Sequence, residues 1–166
     1  LVEANLKCPV DVLEEFAKSK DALMGVATNS STPTIILEEL FHQHSGSFRI
    51  FLAENPSTPI ELLEKLSKSF DEDIRAHVAK NPSINEDILI VLSKDKNYMI
   101  RISISTHPKI TKKLLEYLVG DEHIEVVKSA NIALNRRKTP EEKKMEIEKK
   151  LKNGVGENSL DQFSLL

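Results

Sequence analysis

The sequence predicts an all-α fold without strands, an α-solenoid of about five to six two-helix repeats. Three observations predict it: a short segment recurs along the chain, its apolar residues follow helical spacing, and the second helix of each repeat starts with capping residues. A repeat of about 26 residues suits two short helices and two turns. Because neither helix can bury its apolar face alone, stacked neighbours must supply a continuous core.

The recurring segment is clearest at residues 55–63, which read NPSTPIELL, and at 81–89, which read NPSINEDIL. Five copies align without gaps, with anchors 24, 26, 26 and 26 residues apart, and a decayed sixth copy begins at Asn135. A residue before proline is kept out of the helical backbone region, and asparagine can satisfy free backbone groups, so we expect the anchors to end helices. A row of ligand-binding side chains is the alternative. The anchors are Asn5, Asn29, Asn55, Asn81 and His107.

The first helix of each repeat is predicted to be short. Residues 73–80 place Ile74, Val78 and Ala79 on one side, and the neighbouring copies match this pattern. Residues 100–104 alternate like a strand, but the repeat register predicts a helix there. Acidic residues near the start of these helices suit the positive end of the helix dipole. They are Asp71, Asp95 and Asp121.

The second helix is predicted to be longer and amphipathic. In residues 60–66 the leucines share one broad face and the charged residues lie elsewhere. We expect Thr58 to cap this helix, Pro59 to be its first residue and Glu61 to complete a capping box with Thr58. The other predicted caps are Asn85, Thr111 and the box formed by Thr139 and Glu142.

Charge divides the chain into a repeat solenoid (residues 1–135), a charged C-terminal capping helix (136–152) and a tail (153–166). The solenoid carries a net charge of −5 and the capping segment +4. Solenoids need polar terminal repeats for solubility, and contact with phosphate or nucleic acid is the alternative role. The first unit lacks most of a first helix, so we expect truncation at the N-terminus. In the tail, Leu160, Phe163 and Leu165 are expected to dock on the solenoid or on a neighbouring molecule.

The two best copies resemble the leucine-rich repeat variant family, whose unit has a Val-Ala-x-Asn-Pro centre followed by Thr-Pro and a leucine-rich helix. Residues 78–83 (VAKNPS) and 52–66 (LAENPSTPIELLEKL) carry the resemblance, which extends over about residues 1–139. It implies a right-handed superhelix without strands, and the chain is more loosely similar to HEAT-like repeats. Some family members add a cysteine-rich iron–sulfur segment, but this chain has only Cys8.

Composition excludes several functional classes. A single cysteine cannot form a disulfide framework or a thiolate cluster. His42 and His44 have no third ligand at a suitable spacing, and no nucleophile–base set or glycine-rich phosphate loop stands out, so we expect no metal, no cofactor and no catalysis. No apolar run approaches the length of a membrane span, and no signal peptide is visible, so a cytoplasmic location is expected.

The candidate partner-binding residues are basic. Stacked repeats would align Arg49, Arg75 and Arg101, and less regularly Lys128, either to pair with nearby aspartates or to bind carboxylates or phosphates of a partner. A second basic group is Arg136, Arg137 and Lys138.

The predicted function is that of a non-catalytic scaffold that binds another protein or a peptide through side chains that vary between repeats. One alternative is an enzyme whose site residues are scattered along the sequence. The other is a nucleic-acid-binding HEAT-like module related to alkyl-base DNA glycosylases. The acidic repeat region and the absence of tryptophan disfavour it.

Overall fold

The computed structural model describes residues 9–16, 19 and 22–154. Over these ranges the chain forms eleven α-helices and one 3₁₀ turn, and no strand, which confirms the all-α prediction. None of the described helices has both the length and the apolar character that a membrane span needs. Cys8 and the tail residues predicted to dock lie outside the described residues. The helices are α1 (Val10–Phe16), α2 (Leu23–Thr28), α3 (Thr34–Gln43), α4 (Arg49–Glu54), α5 (Ile60–Ser67), α6 (Glu72–Val78), α7 (Glu86–Leu92), α8 (Tyr98–Ser105), α9 (Lys112–Leu118), α10 (Ile124–Arg137) and α11 (Pro140–Gly154).

The helices contact one another in a regular order. The first helices of the units, α2, α4, α6, α8 and α10, form a series in which each packs against the next. The second helices, α3, α5, α7 and α9, pack beside this series, and α5 also contacts α7. Each helix therefore buries its apolar face mainly against its nearest neighbours.

The core is aliphatic apart from Phe41, as the lack of tryptophan and the low aromatic content predict. The faces predicted from spacing are the buried ones: Ile74, Val78 and Ala79 are at most 2% exposed. Leu63, Leu89 and Leu115, which occupy the same place in successive second helices, are fully buried. Spacing alone therefore predicts which residues form the core.

Residues 100–104 are helical and form the centre of α8. Ile100 and Ile104 are buried, whereas Ile102 between them is only partly buried. The side chain of Asn97 caps the helix by accepting a hydrogen bond from the Met99 amide at 2.9 Å. The apparent strand alternation thus reflects a helix with one buried and one half-buried side.

The predicted cap at Thr58 is wrong. Helix α5 begins at Ile60, one residue after Pro59, and Thr58 makes no capping bond to it. Instead its buried hydroxyl donates to the carbonyl oxygen of Leu52 at 2.6 Å, near the end of the preceding helix. A threonine hydroxyl can accept or donate, and here it donates to a carbonyl oxygen near the end of α4 that also accepts from the Asn55 amide at 3.3 Å.

The other predicted caps form. The side-chain oxygens of Asn85 and Thr111 accept from the amides of Ile88 at 3.0 Å and Leu114 at 3.3 Å. Thr139 and Glu142 form a reciprocal capping box at the start of α11, with amide bonds of 2.8 and 3.2 Å.

Helix lengths differ from the prediction in two places. The second helix is longer than the first for α2/α3 and α4/α5, but α6 and α7 both have seven residues and α8 is one residue longer than α9. Helix α10 has 14 residues and ends at Arg137. Arg136 and Arg137 therefore belong to α10 and not to the terminal helix, which begins at Pro140.

Candidate functional site

The asparagine anchors lie at or just after the ends of the first helices and connect each unit to the one before it. The side-chain amide nitrogen of Asn55 donates to the carbonyl oxygens of Ala27 at 2.7 Å and Asn29 at 2.9 Å. Asn81 repeats these bonds to Ala53 and Asn55 at the same two distances. We call Asn29, Asn55, Asn81 and His107 the anchor ladder.

The ladder side chains also shape their own turns. The side-chain oxygen of Asn81 accepts from the Ser83 amide at 2.8 Å, and Asn29 and Asn55 make the same bond two residues ahead. All four ladder residues are at most 4% exposed. Because their polar groups are engaged in backbone bonds away from solvent, these side chains hold the turns together and present little to a ligand.

His107 replaces asparagine in the ladder and makes equivalent bonds. Its Nε2 lies 3.1 Å from the carbonyl oxygen of Asn81, and its Nδ1 accepts from the Lys109 amide at 3.2 Å. These two bonds require a neutral ring with its proton on Nε2. Burial lowers the pKa of His107, the bond to the Asn81 carbonyl opposes this, and the charge of Lys109 lowers the pKa further.

Beside the ladder, a second set of hydrogen bonds connects neighbouring units, and the type of donor residue changes along the chain. Ser57 and Ser83 donate from their hydroxyls to the carbonyl oxygens of Ser30 and Pro56, both at 2.5 Å. In the later units cationic side chains take over: Lys109 donates to Ile84 at 3.2 Å, and Arg137 donates to Ile110 at 2.5 Å. This edge of the molecule thus becomes basic toward the C-terminal end.

Arg75 and Arg101 form buried, bidentate ion pairs with aspartates. Arg75 contacts Asp95 at 2.6 and 3.1 Å, and Arg101 contacts Asp121 at 2.8 Å through both nitrogens. Each arginine also donates to two carbonyl oxygens in the loop before its own helix. The pairs therefore join two successive loops, and each of the four side chains is at most 8% exposed although the pairs border the surface.

The pairing changes the pKa values of its members. Burial is the largest single influence on Asp95 and acts to raise its pKa. The hydrogen bonds from Arg75 and from the Asn97 amide, together with the positive charges of Arg75 and Lys96, outweigh burial, and the pKa lies below its ordinary value. The bond from Arg101 lowers the pKa of Asp121. Both aspartates are therefore charged at neutral pH.

A spacing signal for these pairs is present in the sequence and was missed. Each aspartate follows its arginine by 20 residues. Twenty residues after Arg49 stands Ser69, so Arg49 has no aspartate at this position. It donates instead to the carbonyl oxygens of His44 and Phe41 and lies 4.2 Å from the centre of the Phe41 ring.

The other candidate residues predicted from the sequence do not form arginine–aspartate pairs of this kind. Lys128 is exposed and pairs with Glu125 on its own helix at 2.7 Å. Lys138 pairs with Glu146 of α11 at 2.5 Å. His42 is exposed, His44 packs against Phe48, and no group of three metal-ligating side chains is found within the described part of the chain.

The exposed face of the second helices changes from unit to unit. One position, repeated every 26 residues, is occupied by Glu39, Lys65, Val91 and Tyr117, and all four are exposed. Ile90 lies beside Val91 and is 39% exposed. A surface that is specific for one partner requires different side chains at equivalent positions of the repeats, and this face provides them.

A basic cleft of about 340 Å³ lies where the last anchor turn meets α10. Arg136 and Arg137 line it together with apolar Pro108, Ile132 and Ala133, and its lining contains no carboxylate. Arg136 is exposed and has no hydrogen-bond or ion-pair partner among the described residues. A second cleft, around Arg101, has a mixed lining of acidic and basic side chains: Asp95, Asp121, Glu122, Lys94, Lys96 and Arg101.

No protein-family model matches the chain, and searches of curated proteins and of solved structures find no match. The resemblance to leucine-rich repeat variants therefore remains a prediction that depends on the motifs quoted above.

Proposed function

We propose that this chain is a non-catalytic protein-interaction module, built as a right-handed α-solenoid of five to six repeats of the leucine-rich repeat variant type. The proposal is based on the different roles of the recurring and the varying side chains. The polar residues that recur between units bond to the backbone of neighbouring units, whereas the exposed face of the second helices differs at every unit. The recurring residues therefore stabilise the scaffold, and the varying residues are available to recognise a partner in the cytoplasm.

The apolar part of this varying face supports a protein partner. Val91 and Tyr117 occupy equivalent positions on α7 and α9 and are 41% and 54% exposed. Aromatic residues are enriched at protein interfaces, where their area contributes much of the binding energy. Lys113 and Glu116 are exposed on the same helix as Tyr117, as expected for the polar rim of an interface.

The experiment compares proteins captured by the immobilised wild-type chain with those captured by a Val91→Glu/Tyr117→Glu variant. The expected result is a small set of proteins retained by the wild type and lost from the variant. A Met145→Glu variant on α11 is the matched control and should retain the same set, because Met145 is exposed and lies on another helix. If the wild type retains no protein above background, the proposal fails.

A nucleic-acid module is the second candidate, and the basic residues at the end of α10 favour it. Binding to phosphates would depend steeply on salt because counterions are released. Titration of a labelled duplex at low salt distinguishes the two: tight binding that weakens steeply as salt is added would place nucleic acid first.

A further inference from the structure

We propose that the basic cleft between the last anchor turn and α10 binds an acidic peptide segment that carries an apolar side chain. This inference deepens the proposed function, because it names the chemistry of a partner at one site on the module. It rests on the charge of the cleft, its apolar wall and the unused bonding capacity of its arginines.

The charge is supplied by two adjacent arginines. Arg136 has all its guanidinium donors free among the described residues, and Arg137 uses one nitrogen to bond Ile110. That bond fixes the position of Arg137 at the edge of the cleft. A guanidinium held in place, next to a free one, favours bidentate binding of carboxylates.

The hydroxyl groups that line the cleft already form hydrogen bonds within the protein, so they are not available to bind an anionic ligand. Ser105 donates to the carbonyl oxygen of Ile102 at 2.7 Å and lies 2.6 Å from the hydroxyl of Ser129. Thr106 donates to the Ser103 carbonyl at 3.0 Å. The donors left for an anionic ligand are therefore the two arginines.

The apolar wall favours a peptide over a nucleic acid. Ile132 is 53% exposed and Ala133 is half-buried, and Pro108 of the anchor turn also lines the cleft. Single-stranded nucleic acids bind through aromatic platforms as well as charge. No Phe, Tyr or Trp lines this cleft, and the ring of His107, which does line it, is only 4% exposed and bonded to the backbone. On the other side of Arg137, Glu116 and Glu142 interrupt the basic surface that a phosphate backbone would follow.

The test measures fluorescence anisotropy of labelled probes with the full chain at low salt. One peptide alternates glutamate with leucine, a second replaces each glutamate with glutamine, and a third replaces each leucine with serine. A DNA oligonucleotide of equal charge, both single-stranded and duplex, is the fourth probe. We expect the glutamate–leucine peptide to bind best and the glutamine peptide to bind at least about tenfold more weakly.

Two variants locate the site. Arg136→Glu should weaken binding of the glutamate–leucine peptide by about tenfold or more, because it removes a free guanidinium and adds a repelling charge. Lys68→Glu makes the same change in net charge on the exposed residue that follows the end of α5, far along the chain, and it should have little effect. Ile132→Ser should weaken binding of the glutamate–leucine peptide and leave the glutamate–serine peptide unchanged.

Three outcomes overturn the inference: no binding of the glutamate–leucine peptide, equal weakening by Arg136→Glu and Lys68→Glu, or tighter binding of DNA with the same dependence on Arg136. Both charge variants change exposed side chains that have no partner within the described ranges, so the thermal unfolding of both should match that of the wild type. The glutamate–leucine peptide could fail to bind while the capture experiment still yields proteins that are lost from the Val91→Glu/Tyr117→Glu variant. In that case the proposed interaction function stands, and only the assignment of this cleft is wrong.

Discussion

At the scale of single residues, Asn81 shows how one side chain holds two units together. Asn81→Ala removes two buried bonds to the carbonyls of Ala53 and Asn55, and the acceptor for the Ser83 amide. Since both carbonyls would be left buried without these partners, we expect a loss of about 2 kcal/mol or more in the free energy of unfolding. Urea denaturation followed by circular dichroism measures it.

The matched control is Asn97→Ala at the start of α8. Asn97 is less buried, and its main bond caps the Met99 amide, so its loss should cost about 1 kcal/mol. An Asn81 variant with an unchanged denaturation midpoint would show that the ladder does not stabilise the fold.

The histidine in the ladder makes stability depend on pH. A histidine in the unfolded chain titrates near pH 6.5, whereas the pKa of folded His107 is lowered. The unfolded state therefore binds more protons as the pH falls below about 6.5, so stability is full above that pH and decreases below it. Asp95 and Asp121, whose pKa values are also lowered, lose their contribution only at more acidic pH, below about 4.

His107→Asn restores the asparagine of the other units and removes this titration. We expect the unfolding free energy of the wild type to decrease between about pH 7 and pH 5, and that of the variant to decrease less. Lys109, the charged neighbour of the ring, is present in both proteins. Equal slopes for the two proteins in denaturation curves across this range would show that His107 titrates alike in the folded and unfolded states.

Sequence patterns predicted the role of a residue correctly where that role follows from local backbone rules. Asn55 and Asn81 precede prolines at a fixed spacing, so their place at helix ends could be predicted. The role of Thr58 could not, because its hydroxyl can serve the helix before it or the helix after it. That choice depends on the distance to the Leu52 carbonyl, which exists only in the folded chain.

At the scale of helices and loops, the arginine–aspartate pairs join neighbouring units through their loops. Arg101→Met leaves Asp121 as a charge without its partner, at a side chain only 8% exposed. We expect a loss of about 3 kcal/mol or more in the free energy of unfolding, since an unpaired buried charge is costly. The exposed pair of Lys128 and Glu125 is the control, and Lys128→Met should cost less than about 1 kcal/mol.

The double variant Arg101→Met/Asp121→Leu separates the charge from the packing. Replacing both members removes the unpaired carboxylate, so the double variant should be more stable than Arg101→Met alone. If the double variant is no more stable than the single one, the penalty comes mainly from what both variants lose with Arg101, including its bonds to the Asp95 and Lys96 carbonyls.

These pairs were predicted only in outline. Their residue types and their alignment between repeats were evident from the sequence, but their burial was not. Burial follows from loops that meet in space although 20 residues separate them in the chain. For the same reason the cleft itself was not predicted. Arg136 and Arg137 were candidate partner-binding residues of the capping segment, but only the fold shows that α10 continues through them and brings them against the turn at Pro108.

At the scale of the whole molecule, stability is built from contacts between neighbouring units. Residues 26 positions apart repeat the same bonds, and each first helix packs against the next one in the series. The C-terminal helix α11 differs, since Met145, Ile147 and Leu151 are each at least 60% exposed. Its described links to the rest of the chain are the pairs Lys138–Glu146 and Lys112–Glu142.

This arrangement predicts graded protection in hydrogen exchange measured by mass spectrometry. Amides of the central helices α6 to α8 should exchange slowest, because they have packed neighbours on both sides, and amides of α11 should exchange fastest. Asn81→Ala sharpens the test: it should speed exchange most in α4 and α6, whose ends its bonds connect, and least in α10. Exchange that accelerates equally in all helices would indicate a single cooperative unit and would argue against a solenoid of separable repeats.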